Sequence, residues 1–455
     1  MSATFDDTNL VSAAGLIPAM ALAVKTGLEN LADTHLELPG YFGANAGLKV
    51  TALVAGMLAG ADSIDDMALL RHGGMKKLFT GTYAPSTLGS FLRRFTFGHV
   101  RQLDAIAWRW LVNVATVAPI VTGIDDFALV DIDDTIKEVH GRHKQGSGYG
   151  YSGVRGLNAL LGIVSTQFSA SIIIGSRLRR GATGSPRGAK RFVADTLATV
   201  RRVRSATATG VVLLRADSAF YGHAVISTAH HAGAKVSITA RMDPAVKRAI
   251  GTIGDDAWTT IQYTNAILDE TSGKWVSVAE VAEVPFTAFT GRKKGEQIPG
   301  RLVVRRIPEL NPKETEGQPT LFDTHRFHAF FTTSTLDTIT ADKTHRQHAV
   351  IEQINADLKD SALAHLPSGI FTANAAWLVL ATIAFNLARA VGALTGTDLS
   401  KARSGSIRRK LISIPARIST SARRVVLHLP TDWPWENGWM ILFAAACSPP
   451  QPTTI

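Results

Sequence analysis

Two apolar runs in this chain stop at carboxylates. "ALVDIDDT" (residues 128–135) and "VVLLRADS" (211–218) carry the aliphatic and β-branched side chains of buried strands, and both end in aspartate. Side chains alternate along a strand, so Asp131 and Asp133 point to one face and Asp134 to the other. Like charges side by side repel. Such a pair persists if a cation holds it, if one carboxyl keeps its proton, or if both lie in water at a loop. Two strands that end this way suggest one shared site at one edge of a sheet, with Asp217 as the second strand's carboxylate.

A third carboxylate lies in "HAVIEQINADLK", where His345, His348, Glu352 and Lys359 recur at helical spacing and fall on one face. Hard divalent cations take carboxylate oxygens, and Mg²⁺ typically uses one or two together with phosphate and water. No cluster of cysteine and histidine with zinc spacing accompanies the two histidines. The glycine-rich "GATGSPRGAKR" lacks the spacing of a nucleotide cradle and reads as a flexible basic loop.

The pattern along the chain divides it into five stretches. Residues 1–120 read as a helical region suited to DNA binding, with "GLKVTALVAGMLAG", Ser63 as an N-cap before "IDDMALLR", and "APSTLGSFLRRF". Residues 121–240 turn to strands, including a hairpin of "LNALLGIVS" with "ASIIIGSRLR", then a helix at "AKRFVADTLATVRRV". Short β-like pieces fill 241–338. Helices return over 339–396, where "KTHRQHAVIEQINADLKD" reads as one helix, and 397–455 is a basic tail. The apolar "AAWLVLATIAFNLARAVGAL" is interrupted by Asn386 and Arg389 and reads as a buried helix rather than a membrane span.

In their order, "DIDDT", "RADSAF", "HAVIEQINADLK" and "FNLAR" resemble the DDE transposases of bacterial insertion sequences, in the group with a β-rich insertion between the second Asp and the Glu. The segments "LVAGMLAGADSIDDMALLR" and "APSTLGSFLRRFT" and the basic C-terminal part are similar to one branch of that group. The resemblance implies an α/β fold: an RNase H-like catalytic core interrupted by the insertion, after an all-helical N-terminal region and before a basic C-terminal one. It also implies that Asp133, Asp217 and Glu352 are catalytic and hold two Mg²⁺ ions, for which Mn²⁺ could substitute. Asp133 is two residues before the Thr, as in the group's pattern, with Asp131 the runner-up. Relatives carry Tyr, Arg, Glu and Lys along the Glu helix. Here the first two positions read His345 and His348, with Arg346 a neighbour able to take over a phosphate contact. The function implied is metal-dependent cleavage at terminal inverted repeats and strand transfer, by cut-and-paste movement, with a homodimer on the paired ends.

The charge balance supports a polyanionic partner. The 455 residues carry a formal net charge of +11. Basic residues gather in two places, Arg177 to Arg191 and Lys401 to Arg424, the second with no acidic residue inside it. Double-stranded DNA contacts are expected from Arg93 and Arg94 in the helical region, from Arg179 and Arg180, and from Arg408, Arg409 and Lys410. Trp258 and Trp275 lie in the insertion, where core packing competes with stacking on a displaced base. The single cysteine, Cys447, fits a reducing cytoplasm, and Asp6 and Asp7 before "LVSAAGLIPAMALAV" are unlike the positive start of a secretion signal. No membrane role is expected.

Two other readings remain open on the residues alone. "ALVDIDDTI" is also similar to the strand motif of haloacid dehalogenase-like phosphatases, in which Asp131 would attack a phosphomonoester and Asp133 protonate the leaving group, with Asp255 and Asp256 as the acidic pair. The other is a transposase-derived DNA-binding protein with a dead site.

Overall fold

The computed structural model describes residues 1–447 apart from 80, 142, 263–267, 270–273, 276–277, 309–324 and 423. Alanine- and leucine-rich segments form the N-terminal helices α1 (Leu16–Lys25), α2 (Leu28–His35), α3 (Ala46–Ala59), α4 (Pro85–Arg93) and α5 (Phe97–Val117). Local chemistry sets several of their ends. Pro85 occupies the first turn of α4, and Thr96 and His99 exchange side-chain to backbone bonds in a capping box that starts α5. Ser63 and Asp66 make the same reciprocal exchange, but the segment they start, Asp65–Leu70, is a 3₁₀ helix rather than an α-helix.

The strands then build one large mixed sheet. Its main strands are β1 (Phe127–Glu138), β2 (Arg155–Ser165), β3 (Ile172–Arg180), β4 (Val211–Ala216), β5 (Lys235–Thr239), β6 (Thr259–Gln262), β7 (Val278–Ala288), β8 (Ile298–Pro308) and β9 (His325–Thr332), and the two residues Gly148–Tyr149 add a short strand beside β2. Across the sheet they run β3-β2-β1-β4-β5-β9-β8-β7-β6. β1, β4 and β5 are parallel neighbours, and β2 and β3 are the antiparallel hairpin expected from their sequence. This arrangement is compatible with an RNase H-like core. The strands between 259 and 332 extend the sheet outward from β5 through β9.

Both faces are covered, which explains why the central strands read as continuous apolar runs. On one face lies α6 (Ala189–Val203), brought close by Gly162 and Gly175, where an added Cβ would stand 3.0 Å from Thr196. A crossover helix, α7 (His223–His231), links β4 to β5. On the other face the expected single helix over 343–360 is divided. α8 (Thr338–Arg346) passes into a 3₁₀ turn, Gln347–Ala349, before α9 (Val350–Lys359).

Helix α10 (Phe371–Leu394) is long and apolar enough to cross a membrane, with mean hydropathy 1.7, yet 89% of its apolar window is buried. It packs on α3, α4, α5 and β3. Asn386 serves β3, accepting from the Ile173 amide at 2.9 Å and donating to its carbonyl at 2.7 Å. The C-terminal stretch adds a hairpin, β10 (Ala416–Ser421) with β11 (Arg424–His428), and helix α11 (Glu436–Cys447). One hydrophobic core links Leu53 of α3, Val130 of β1, Trp377 of α10 and Leu442 of α11.

Candidate active site

The register of the central strands assembles the site. β1 and β4 pair in parallel as far as Asp131 with Arg215 and Ile132 with Ala216. The next residues are Asp133 and Asp217, so the two carboxylates emerge from neighbouring strands at one level. Asp217 turns out of the sheet and accepts the Ala219 amide at 3.0 Å, capping a short 3₁₀ turn. Burial pushes the Asp133 carboxyl up to about 6, with the Asp217 charge adding to the rise. Burial raises Asp217 as well.

Asp131 and Asp134 stand apart from this pair because each has its own cation. Asp131, 0% exposed, takes both Nε and Nη2 of Arg215 at 2.7 Å, and Arg215 is equally buried. Its Oδ1 also meets His348 Nδ1 at 2.9 Å. On the opposite face Asp134 holds Arg179 Nη2 at 2.6 Å and the Asn158 amide. Asp133, by contrast, receives a neutral donor, Asn355 Nδ2, at 3.2 Å. Alternation thus sets Asp134 apart and Arg215 sets Asp131 apart: two of the three acids are neutralised, and Asp133 stands level with another anion.

The helical face expected over Asp133 is distributed across the break between α8 and α9. His345 uses Nδ1 on Ser237 at 2.9 Å and Nε2 on Thr239 at 3.1 Å, and its ring stacks on Phe330. Burial pushes it down to about 3, so it is neutral. Lys359 donates to Thr135 at 2.6 Å, and burial together with Lys137 lowers its pKa. Arg346 is tied to Asp342 at 2.8 Å. Glu352 is exposed in the first turn of α9, where its charge also favours the helix dipole. Among the described residues no three His, Cys, Asp or Glu side chains converge closely enough to hold a metal ion, so the assembled element is the Asp133–Asp217 pair.

A family model described as transposase DDE domain, group 1, matches residues 1–446. The chain belongs to the DDE transposases. No curated protein matches it significantly. The transposase acts on DNA as its family does, and the family generally uses divalent metals. The donors here fit such an ion, because two hard carboxylates are held side by side with their charges unbalanced by any salt bridge among the described residues. The phosphatase reading is not favoured. Its nucleophile would be Asp131, which is locked to Arg215, and Asp255 is fully exposed beside Arg306 at 3.8 Å.

The DNA-facing expectations of the transposase divide by burial. Arg93, Arg94, Arg180 and Arg409 are exposed. Arg94 lies over Phe42 at 4.2 Å, and Lys410 lies over Trp435 at 4.9 Å beside a half-buried Arg408. Arg179 corrects the sequence reading: it is 8% exposed, and beyond Asp134 it binds Asn158 Oδ1 and the carbonyls of Ser185 and Arg187. Its guanidinium is committed inside the protein. Trp258 packs into the core beneath the Arg306 guanidinium at 4.3 Å; the side chain of Trp275 and the whole of Arg423 lie outside the described residues.

Sequence reasoning missed Arg215, Asn158 and Asn355. An arginine inside "VVLLRAD" was the available signal, since a cation in a buried strand requires a buried anion. Nothing in "EQINADLK" marks Asn355 over Gln353 except helical phase.

Proposed function

We propose that this transposase cleaves DNA at the terminal inverted repeats of a bacterial insertion sequence and joins the ends to a target, moving by cut-and-paste. Asp133, Asp217 and Glu352 would hold two Mg²⁺ ions, with Mn²⁺ able to replace them. The observation that carries this reading is the unbalanced pair: among the described residues Asp133, unlike Asp131 and Asp134, has no salt bridge, and it stands level with Asp217. Such ions lower the pKa of bound water and stabilise the leaving oxygen of the phosphodiester.

The chain's own residues supply the rest. Asp131 and Arg215 fix the strand ends, and Lys359, lowered by burial, lies one residue pair away from Asp133 through Thr135. Glu352, exposed in the first turn of α9, would complete the set through its side chain. The helical region 1–120 would read the repeat. The RNase H-like core, 121–240 with 339–396, would carry the chemistry around the insertion 241–338, and 397–455 would hold phosphates. A homodimer would pair the two ends in the cytoplasm.

The test is a cleavage assay on DNA carrying the element's ends, with Mg²⁺. Asp133→Asn, Asp217→Asn and Glu352→Gln should each abolish cleavage and leave end binding largely intact, since affinity rests mainly on basic groups. Full cleavage by any one variant removes that residue from the triad. Asp131→Asn should instead retain partial activity.

A further inference from the structure

One buried ion pair joins the two strands that lead to Asp133 and Asp217 and reaches the helical segment that leads into α9. Arg215 lies two residues before Asp217 on β4, and its partner Asp131 lies two residues before Asp133 on β1. The third arm of Arg215, Nη1, donates to the Thr344 carbonyl in α8. Asp131 meets His348 Nδ1 at 2.9 Å in the 3₁₀ turn that follows. The end of α8 and the 3₁₀ turn itself are therefore fastened to the sheet by the same two side chains. Glu352 begins one helical turn after His348.

We propose that Asp131 and Arg215 are positioning residues that set the α9 helix, and with it Glu352, at a fixed distance from Asp133 and Asp217. The inference rests on the metal-site reading above. An apolar pair of similar volume could fill the same space, but it could not hold the Thr344 carbonyl and the His348 ring together. Guanidinium geometry matters here, because a lysine ammonium can neutralise Asp131 but cannot present a bidentate face and a third donor at once.

The test uses the full chain and Mn²⁺ alone as probe, with binding to DNA-free protein followed by the loss of the free-ion paramagnetic signal. Arg215→Lys and His348→Gln should weaken Mn²⁺ binding by about 10-fold to 100-fold, the cost expected of groups that orient ligands. The Mg²⁺ concentration for half-maximal cleavage should rise in parallel, with end-DNA affinity unchanged. The double variant Asp131→Val/Arg215→Met controls for folding: it should melt near the wild-type temperature and still bind Mn²⁺ weakly. Wild-type Mn²⁺ affinity in the folded double variant overturns the proposal. Asp133→Asn separates the two levels: if it too keeps wild-type Mn²⁺ binding, the metal site itself is misassigned, and the positioning role falls with it.

Discussion

Asp133 keeps an acid where the sheet gives it no counter-charge, and its titration follows from that. Its carboxyl is raised to about 6 by burial and then by Asp217. The folded chain therefore binds this proton more readily than the unfolded chain does. The contribution favours folding below the ordinary carboxylate pKa and is lost as pH rises through about 6. In metal-free protein at pH 7, Asp133→Asn should thus raise stability by about 1–3 kcal/mol, a gain that disappears near pH 4. Urea titrations at the two pH values measure it. Mg²⁺ should stabilise the wild type and not the variant, and its apparent affinity should fall as pH drops below about 6, because the proton competes for the same oxygens. Equal stability at both pH values would show that Asp133 carries no raised pKa. The choice between Asp131 and Asp133 was not legible in "DIDD", because alternation assigns both to one face and says nothing of what stands opposite. What supports Asp133 in the proposal is Arg215, which neutralises Asp131, and the parallel register is what brings Arg215 to Asp131.

At the scale of elements, what the sequence exposed was each strand and helix whose apolar period ended in a polar signal: β1, the β2–β3 hairpin, β4, α6 and α10 all lie where the pattern put them. The break in the Glu helix was hidden, since "THRQHAVIEQ" has neither glycine nor proline and every residue in it tolerates a helix. Tertiary hydrogen bonds from Arg215 and Asp131 hold it. The role of Arg179 was hidden for a related reason. A run of arginines states charge but not burial, and β3 turns this one inward onto Asp134. Arg179→Ala should consequently cost about 3–5 kcal/mol by leaving Asp134 without its cation, with little effect on the salt dependence of DNA binding. Arg180→Ala, exposed on the same strand end, should show the reverse. Chemical denaturation and gel shifts on both variants test the pair; a stable Arg179→Ala that binds DNA poorly would return this arginine to the DNA-facing set.

For the whole molecule, the question is how a protein of net charge +11 separates holding DNA from reading it. Phosphate contacts position without specifying, and base contacts specify. Replacing Arg408, Arg409 and Lys410 with Ala should weaken binding to repeat and unrelated DNA alike, and flatten the logarithmic salt slope by about 0.9 for each phosphate that is no longer neutralised. Replacing Arg93 and Arg94 should weaken repeat binding more than unrelated binding. Titrations on both DNAs at several salt concentrations measure the contrast, and loss of discrimination in the tail variant alone would exchange the two roles.

Helix α10 gives that division of labour a limit. Its sides are wallpapered by α3, α4 and α5 as well as by β3, so the N-terminal helices, proposed to read the repeat, and the central sheet share one wall. A recognition half borrowed from a cousin would have to arrive with a matching surface for that wall. New targets should therefore be reached by exchanging side chains on exposed helices, not by exchanging modules, and a fragment beginning near residue 121 should come out of cells as aggregate.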